Sequence, residues 1–322
     1  MSATPPPAAL TLGSRASKLA RTQTDSVVEL IAAAWPGLEC AVRLIETEGD
    51  RTQASGEPLP EIGGKGLFTF ELERALRDGE IDLAVHSLKD LPTDDAPGIV
   101  IGAVCLREDT RDCLVARDGL TLATLPPGAV VGTSSLRREA QLRALRPDLE
   151  IRSIRGNVDT RVDKVRRGEY DAAMLAAAGV RRLGLDEAVT EWLEPETILP
   201  APGQGALGVQ CRTDDVRTLA LLAAVDDPGA RATTNAERAF LRALGGGCAT
   251  PVGAHAGVAS SSPSDKVSQG MVIVEMNALV ASKDGSEVVR VRGEGDPEEV
   301  GGRLAREALA AGADRILEAI HD

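Results

Sequence analysis

Aromatic side chains are scarce in this sequence, at 2% of its 322 residues. Proteins that bind single-stranded nucleic acid without sequence preference stack the bases on such side chains. The net charge of −13 also opposes binding to a phosphate backbone. Long apolar runs are missing as well, since none approaches the roughly 18 residues of a membrane-spanning helix. We therefore expect neither a nucleic acid nor a membrane among the partners of this protein.

Histidine and cysteine are also few. The chain has three histidines and five cysteines, and no two cysteines have the two-residue separation typical of zinc and redox sites. We expect no disulfide and no metal.

Residues 1–10 are rich in proline and alanine and lack the basic start and apolar centre of a signal peptide. A cytoplasmic protein is therefore expected.

Positive charge is concentrated in one stretch of the chain. Residues 132–167 contain ten arginine and lysine side chains against five aspartate and glutamate side chains, a local charge of +5. Because the whole chain carries −13, the remainder carries −18. The chain as a whole is therefore acidic, and its positive charge is concentrated in this stretch. This local positive charge indicates a site for a small anion.

Strands alternate with helices over the first two thirds of the sequence. This pattern predicts an α/β fold with doubly wound parallel sheets, whose sites lie beyond the carboxyl ends of strands. The segment 205–211 reads as a strand that returns to the first sheet. After residue 226 the pattern changes to a small α+β domain, with a helix over 231–244, a hairpin around Asp284-Gly285 and one long helix over 297–320. The predicted domains are 1–105 with 201–225, then 106–200, then 226–322.

Two turns of the arginine-rich stretch join a strand to a helix. In the first, GTSSLRR (132–138), free backbone N–H groups and the helix dipole attract an anion, and Arg137 and Arg138 add planar donors. In the second, RGN (155–157), Arg155 ends a strand, and Arg161 follows beside the core stripe of the next helix. Four other arginines are expected to be solvated, salt-bridged helix charges: Arg143, Arg146, Arg166 and Arg167.

Two further segments contain candidate chemistry. Asp90 follows an apolar strand, where a carboxylate can stabilise a cation or transfer a proton, although helix capping is an equal alternative. Lys89 is a plausible anion contact, and His86 suits a structural hydrogen-bonding role. Cys248 follows three glycines that permit close backbone approach, with buried packing as the alternative. The other four cysteines are expected in the core.

Six motifs occur in one order along the chain. They are GGKGLF (63–68), HSLKDLP (86–92), GTSSLRR (132–138), RGN (155–157), PGQG (202–205) and GGC (246–248). From about Leu10 to the C-terminal helix, the chain resembles the porphobilinogen deaminase family, also called hydroxymethylbilane synthase. The resemblance implies two domains similar to periplasmic binding proteins with a cleft between them, and a small third domain that carries a cofactor cysteine. It also implies a monomer.

The family joins four porphobilinogen molecules head to tail, with loss of ammonia at each step, and releases hydroxymethylbilane by hydrolysis. Its primer is a dipyrromethane cofactor bound through a thioether, which the resemblance assigns to Cys248. It assigns the catalytic carboxylate to Asp90, a stacking residue to Phe68 and a lid position to Lys65. Further residues match contacts to the carboxylates of cofactor and substrate: Arg15, Ser17, Lys89, Arg137, Arg138, Arg155, Arg161 and Arg182. Thr133 and Ser134 match cofactor contacts at the start of a helix.

The chain departs from the family pattern at two positions. Glu61 stands where many members have a second lysine, which puts in doubt any contact of that position with an anionic chain. Gly245 replaces a common glutamate two residues before the Gly-Cys pair, which affects the rigidity of the cofactor loop. Neither departure involves Asp90.

Two other classes of function are weighed against this transferase. A two-lobed, non-catalytic receptor for a small polycarboxylate or another anion would suit the first two domains, but it needs no cysteine-bearing third domain. An acyl transferase with a cysteine nucleophile would need a histidine paired with Cys248. None of the histidines stands in a recognisable pairing with that cysteine.

Overall fold

The computed structural model describes residues 9–49, 69–245, 250–260 and 272–319. The chain divides into two compact units, each of which contains two separate segments. The first unit comprises 1–107 and 206–231, and the second comprises 108–205 and 232–322. No helix in the described ranges is long and apolar enough to cross a membrane.

The first unit is built on a five-stranded sheet. Its strands are β1 (Ala9–Arg15), β2 (Glu39–Ile45), β3 (Leu83–Ser87), β4 (Ile99–Cys105) and β10 (Leu207–Arg212), and its helices are α1 (Lys18–Ala34), α2 (Phe70–Arg77) and α6 (Val216–Leu222). The strand order is β2-β1-β3-β10-β4. Strand β1 is parallel to β2 and β3, whereas β10 is antiparallel to β3 and β4. The predicted return of 205–211 to the first sheet is therefore confirmed.

Alternating apolar residues explain the packing of this sheet. Leu10 and Leu12 of β1 lie in one buried cluster with Val27 and Ile31 of α1. These α1 residues are four positions apart, so they share one face of the helix. Ser17 begins α1, because its Oγ accepts a hydrogen bond from the backbone N–H of Ala20 at 3.3 Å.

The second unit contains another five-stranded sheet with the same plan. Its strands are β5 (Asp112–Ala116), β6 (Val130–Gly132), β7 (Glu150–Arg152), β8 (Ala172–Ala176) and β9 (Glu191–Leu193), in the order β7-β6-β8-β5-β9. Helices α3 (Leu136–Leu145), α4 (Val158–Arg166) and α5 (Ala177–Arg182) connect to it. Strand β6 is parallel to β7 and β8. Both faces of the sheet are covered, since Met174 and Leu175 of β8 belong to different buried clusters.

A three-stranded antiparallel sheet completes the second unit. It consists of β11 (Val252–Val258), β12 (Val274–Ala281) and β13 (Val288–Gly295), with helices α7 (Pro228–Ala243), α8 (Pro297–Ala308) and α9 (Asp314–Glu318). Phe240 of α7 is fully buried against this sheet. The hairpin predicted at Asp284-Gly285 is confirmed, because it joins β12 to β13.

The single long helix predicted over 297–320 is wrong. Helix α8 ends at Ala308, a wider π-type turn covers Leu309–Ala313, and α9 begins only at Asp314. The break falls at Gly312, whose φ of 104° lies in the left-handed region that interrupts a right-handed helix.

Candidate functional site

The first unit brings four candidate residues to one edge of its sheet. Parallel strands β1 and β3 end at this edge, because Leu12 and Gly13 pair in register with Leu83 and Ala84. Arg15 ends β1, and Ser17 begins α1 two residues later. Lys89 and Asp90 lie on the short 3-10 turn that follows β3. Asp90 is exposed at the position expected for a ligand-binding carboxylate.

A buried layer supports this edge. Gln23 of α1 donates from Nε2 to Oγ of Ser87 at the end of β3, over 2.9 Å. Beside it, burial and the positive charge of Arg15 lower the pKa of His86 to about 4, so the imidazole is neutral at pH 7. A side-chain hydrogen bond with Gln210 opposes this shift, while the buried Nε2 of His86 has no hydrogen-bond partner among the described residues. The structural role expected of His86 stays a prediction.

In the second unit, the carboxyl ends of β6, β7 and β8 meet at one edge. The β6–α3 turn contains Thr133 and Ser134, and the β7–α4 turn contains Arg155. The Oγ1 of Thr133 accepts from the backbone N–H of Ser135 at 3.2 Å. The Oγ of Ser134 lies 2.8 Å from Oγ of Ser153 across the two turns. The arginine-rich turns predicted from the sequence are therefore neighbours.

Arg137 and Arg138 are buried, with only 3% and 6% of their surfaces exposed. Nη1 of Arg137 lies 2.7 Å from Oδ2 of Asp112, and Nη2 of Arg138 lies 2.8 Å from Oδ1 of the same carboxylate. The sequence interpretation placed both guanidiniums at an anion and missed this internal partner. Each guanidinium retains a buried Nε to which no residue in the described part of the chain offers an acceptor.

Arg161 of α4 adds a further positive charge near this pair, and no acidic side chain in the described part of the chain forms an ion pair with it. Its Nε donates to the carbonyl oxygen of Gly156 at 2.8 Å. Burial, together with the positive charges of Arg138 and Arg155, lowers the pKa of Arg161. A shift in this direction means that the folded protein disfavours the charged form, which a bound anion would relieve. Arg182 ends α5, and its Nη2 donates to the carbonyl of Gly205 at 2.7 Å.

The four arginines expected to be solvated all form ion pairs, but only Arg166 and Arg167 are exposed. Arg143 and Arg146 are half-buried, and Arg146 also donates to the carbonyls of Leu122 and Leu125. The acidic partners of the four are Glu139 for Arg143, Asp148 for Arg146, Asp163 for Arg166 and Glu169 for Arg167. Exposed pairs of this kind contribute little to stability or binding. The geometry therefore separates the buried arginines at the sheet edge from the charges on the outer helix surfaces.

Several predicted positions lie outside the described residues, namely Glu61, Lys65, Phe68 and Cys248. Gly245 is described, and its φ of 67° is left-handed. Glycine adopts this conformation without the steric cost that a glutamate would have there. Cys105, Cys113 and Cys211 are buried as predicted, whereas Cys40 is only half-buried.

Two buried carboxylates are further functional candidates that were not predicted from the sequence. Asp112 begins β5, and Glu237 lies on the buried face of α7 near Ala236 and Phe240; both carboxylates are fully buried. Neither carboxylate stands out in the sequence, because Asp112 follows the charge-rich run 107–111 and Glu237 stands beside Arg238. Among the described residues, no cluster of three or more histidine, cysteine, aspartate or glutamate side chains could hold a metal ion.

This chain is similar to known proteins in both structure and sequence. Among solved structures, it is similar to the periplasmic aliphatic sulphonate binding protein SsuA from Escherichia coli, with 16% identity, a TM-score of 0.40, and coverage of 73% of this chain and 70% of that one. The curated porphobilinogen deaminase of Roseiflexus castenholzii is 50% identical over 310 residues, 96% of this chain and 98% of that protein. The porphobilinogen deaminase of Moorella thermoacetica is 49% identical, over 96% of each chain.

Two family models match in succession. Residues 10–220 match the family described as porphobilinogen deaminase, dipyromethane cofactor binding domain. Residues 232–310 match the porphobilinogen deaminase C-terminal domain. By both the family models and its relatives, this chain belongs to the porphobilinogen deaminase family.

Proposed function

We propose that this protein is a transferase that condenses four porphobilinogen molecules head to tail, releases ammonia at each step, and frees hydroxymethylbilane by hydrolysis. This reaction belongs to tetrapyrrole biosynthesis, the route to porphyrins and heme. The observation that carries the proposal is the family match over two consecutive segments, 10–220 and 232–310. A two-lobed receptor without catalytic activity is not favoured, because relatives that share half of its residues over nearly the full chain are named as deaminases.

The second unit suits a ligand that carries several carboxylates. The buried Nε atoms of Arg137 and Arg138 are donors that the described ranges leave without an acceptor. Arg161 is half-buried, and this desolvation together with the nearby positive charges of Arg138 and Arg155 lowers its pKa. Carboxylates match planar guanidinium donors in shape and charge. Dipyrromethane, whose acetate and propionate groups are such carboxylates, therefore fits this set of residues.

We assign the covalent attachment of dipyrromethane to the thiol of Cys248, through a thioether. When bound, the cofactor supplies the pyrrole carbon to which the first substrate molecule is joined. The proposed cofactor contacts are Lys89, Thr133, Ser134, Arg137, Arg138 and Arg155. The proposed contacts of substrate and growing chain are Arg15, Ser17, Phe68, Arg161 and Arg182, with Lys65 on a lid.

Asp90 is the proposed catalytic carboxylate. Departure of the aminomethyl nitrogen of porphobilinogen as ammonia leaves a positively charged pyrrole. A nearby carboxylate stabilises this cation by direct electrostatic attraction. Asp90 can also assist protonation of the leaving nitrogen and later removal of the ring proton. Its position on the exposed turn after β3 suits both roles.

We further propose that the chain forms three domains, 1–105 with 201–225, 106–200 and 226–322, and works as a cytoplasmic monomer. The three separate sheets support this division. The oligomeric state is accessible to sedimentation measurements on the purified enzyme.

Turnover of porphobilinogen tests the function directly. We expect one ammonia released for each porphobilinogen consumed and a linear tetrapyrrole as the product, measured by an ammonia assay and mass spectrometry. A protein that binds porphobilinogen but releases no ammonia would instead support the non-catalytic receptor. The exposed variant Asp148→Asn is a suitable control, since its carboxylate pairs with Arg146 on the surface.

A further inference from the structure

A single buried carboxylate joins both buried arginines of the second unit. Asp112 has no exposed surface. Its Oδ2 accepts from Arg137 at 2.7 Å, and its Oδ1 accepts from Arg138 and from Nε2 of Gln204, each at 2.8 Å. Both oxygens are therefore occupied by donors from three different parts of the chain.

These bonds hold Arg137 through Nη1 and Arg138 through both Nη atoms. Arg137 also donates from Nη1 to the carbonyl of Leu199, and Arg138 donates from Nη1 to the carbonyl of Met174 at 3.1 Å. The Nε atoms take no part in these bonds, and no other described residue accepts from them. Because a guanidinium is planar and rigid, these bonds fix the direction of the Nε–H of Arg138 and restrict that of Arg137.

The same network continues toward the helix that precedes Cys248. Gln204 lies next to Gly203, whose backbone N–H donates to Oε2 of the buried Glu237 at 2.7 Å. Oε1 of Glu237 accepts from the backbone N–H of Ala256 in β11, also at 2.7 Å. Helix α7, which contains Glu237, ends at Ala243, shortly before Cys248.

We propose that Asp112 is a positioning residue. It holds Arg137 and Arg138 in the orientation that the carboxylates of the cofactor require. Through Gln204 and Glu237, it also connects these arginines to the helix that leads to Cys248. The proposal rests on the proposed function but adds to it, because Asp112 contacts neither cofactor nor substrate in this role. Its negative charge also offsets one of the two buried positive charges, so that both guanidiniums can remain buried when no ligand is bound.

Cofactor acquisition measures this role without relying on turnover by the loaded enzyme. Apoprotein is incubated with porphobilinogen, and the fraction that has gained the mass of a dipyrromethane is followed by intact mass spectrometry. We expect Asp112→Asn to acquire it about 10- to 100-fold more slowly than the wild type, the effect of a lost charge-assisted hydrogen bond. The control Asp148→Asn removes an exposed Arg–Asp pair and should match the wild type.

A double substitution separates positioning from general stabilisation. If Asp112 acts through both arginines, then Asp112→Asn should slow acquisition less in an Arg138→Gln background than in the wild type, because only Arg137 is left for Asp112 to position. Full additivity of the two effects would overturn the proposal, as would wild-type rates of cofactor acquisition in the folded single variant. Acquisition is compared at a temperature where circular dichroism shows each variant to be folded.

A second variant covers the case in which Asp112→Asn does not fold. Gln204→Met removes a donor to Oδ1 of Asp112 but leaves the charge in place, so we expect a smaller slowing in the same direction. Wild-type acquisition by a folded Gln204→Met variant would then overturn the proposal. If the wild type itself gains no mass and releases no ammonia, the proposed function fails instead, and the two failures are thus distinguished.

Discussion

The hydroxyl of Ser134 bonds both backbone polar groups of Ile154. Its Oγ donates to the carbonyl oxygen at 2.8 Å and accepts from the N–H at 3.2 Å. Through these two hydrogen bonds, one side chain connects the β6–α3 turn to the β7–α4 turn. The two arginine-bearing turns, far apart in sequence, are held together as one surface, with Arg155 following directly after Ile154.

Arg161 on this surface should contribute to binding rather than to folding. Because burial and the charges of Arg138 and Arg155 lower its pKa, its charged form is disfavoured in the unliganded fold. We expect Arg161→Gln to leave the thermal stability of the apoprotein equal or higher, while the KM for porphobilinogen rises about 10- to 100-fold. Thermal unfolding and steady-state kinetics provide the two measurements.

Arg166→Gln is the matched control on the same helix. Its guanidinium is exposed and pairs with Asp163 at 3.4 Å. Neither the stability nor the KM should change appreciably. An Arg161→Gln variant with reduced apoprotein stability and an unchanged KM would show that the residue is structural.

Asp90→Asn should give a folded but nearly inactive enzyme. The side chain is exposed, so its replacement by a neutral isostere costs little stability. Loss of charge stabilisation and proton transfer should lower kcat by a factor on the order of 10²–10⁴. Single-turnover release of ammonia is the measurement. The control Asp78→Asn changes an exposed residue at the end of α2 and should retain activity. Near-normal turnover by Asp90→Asn would refute the catalytic role of Asp90.

Regular periodicity made most of the fold predictable from the sequence. The turn over 132–138, predicted to join a strand to a helix, does so: it connects β6 to α3, in which Leu142 faces the core. The prediction of a single C-terminal helix was wrong, because sequence periodicity does not reveal the left-handed φ of Gly312. Strand β5 carries no periodic signal, because it is short, begins with the charged Asp112 and is buried on both faces.

The candidate site was only partly predictable. Turn chemistry selected Arg137, Arg138 and Arg155, but it could not reveal that Asp112 binds two of them. Asp112 lies 25 residues before Arg137 in sequence, and only the antiparallel pairing of β5 with β8 brings it beneath α3. A contact of this kind depends on sheet topology rather than on local sequence, which explains why sequence reasoning missed it.

The buried thiols should resist alkylation. Burial raises the pKa of Cys113 and of Cys211 to about 12, with nearby Asp112 and Asp215 acting in the same direction. At pH 8 the reactive thiolate is therefore rare at both positions. We expect iodoacetamide to leave Cys113 and Cys211 unmodified in the folded protein and to modify both in urea, as mapped by peptide mass spectrometry. Rapid modification in the folded protein would contradict their burial.

Acid should weaken the fold partly through Asp112. Burial alone would raise the pKa of this carboxyl, but the guanidiniums of Arg137 and Arg138 hold it well below its usual range. A lowered folded-state pKa contributes stability above the unfolded value of about 3.9, and this contribution is lost as the pH falls further. The free energy of unfolding should therefore decrease less between pH 5 and pH 2 in Asp112→Asn than in the wild type, as measured with urea. Parallel pH profiles would contradict the ion-pair assignment.

The intact mass of the purified protein tests the central claim most directly. Wild-type protein should exceed the mass of its 322-residue chain by one dipyrromethane. Cys248→Ala should have the mass of the bare chain, because no thioether can form at that position. A wild-type protein that turns over porphobilinogen at its bare-chain mass, or a Cys248→Ala variant that retains the added mass, would contradict the account.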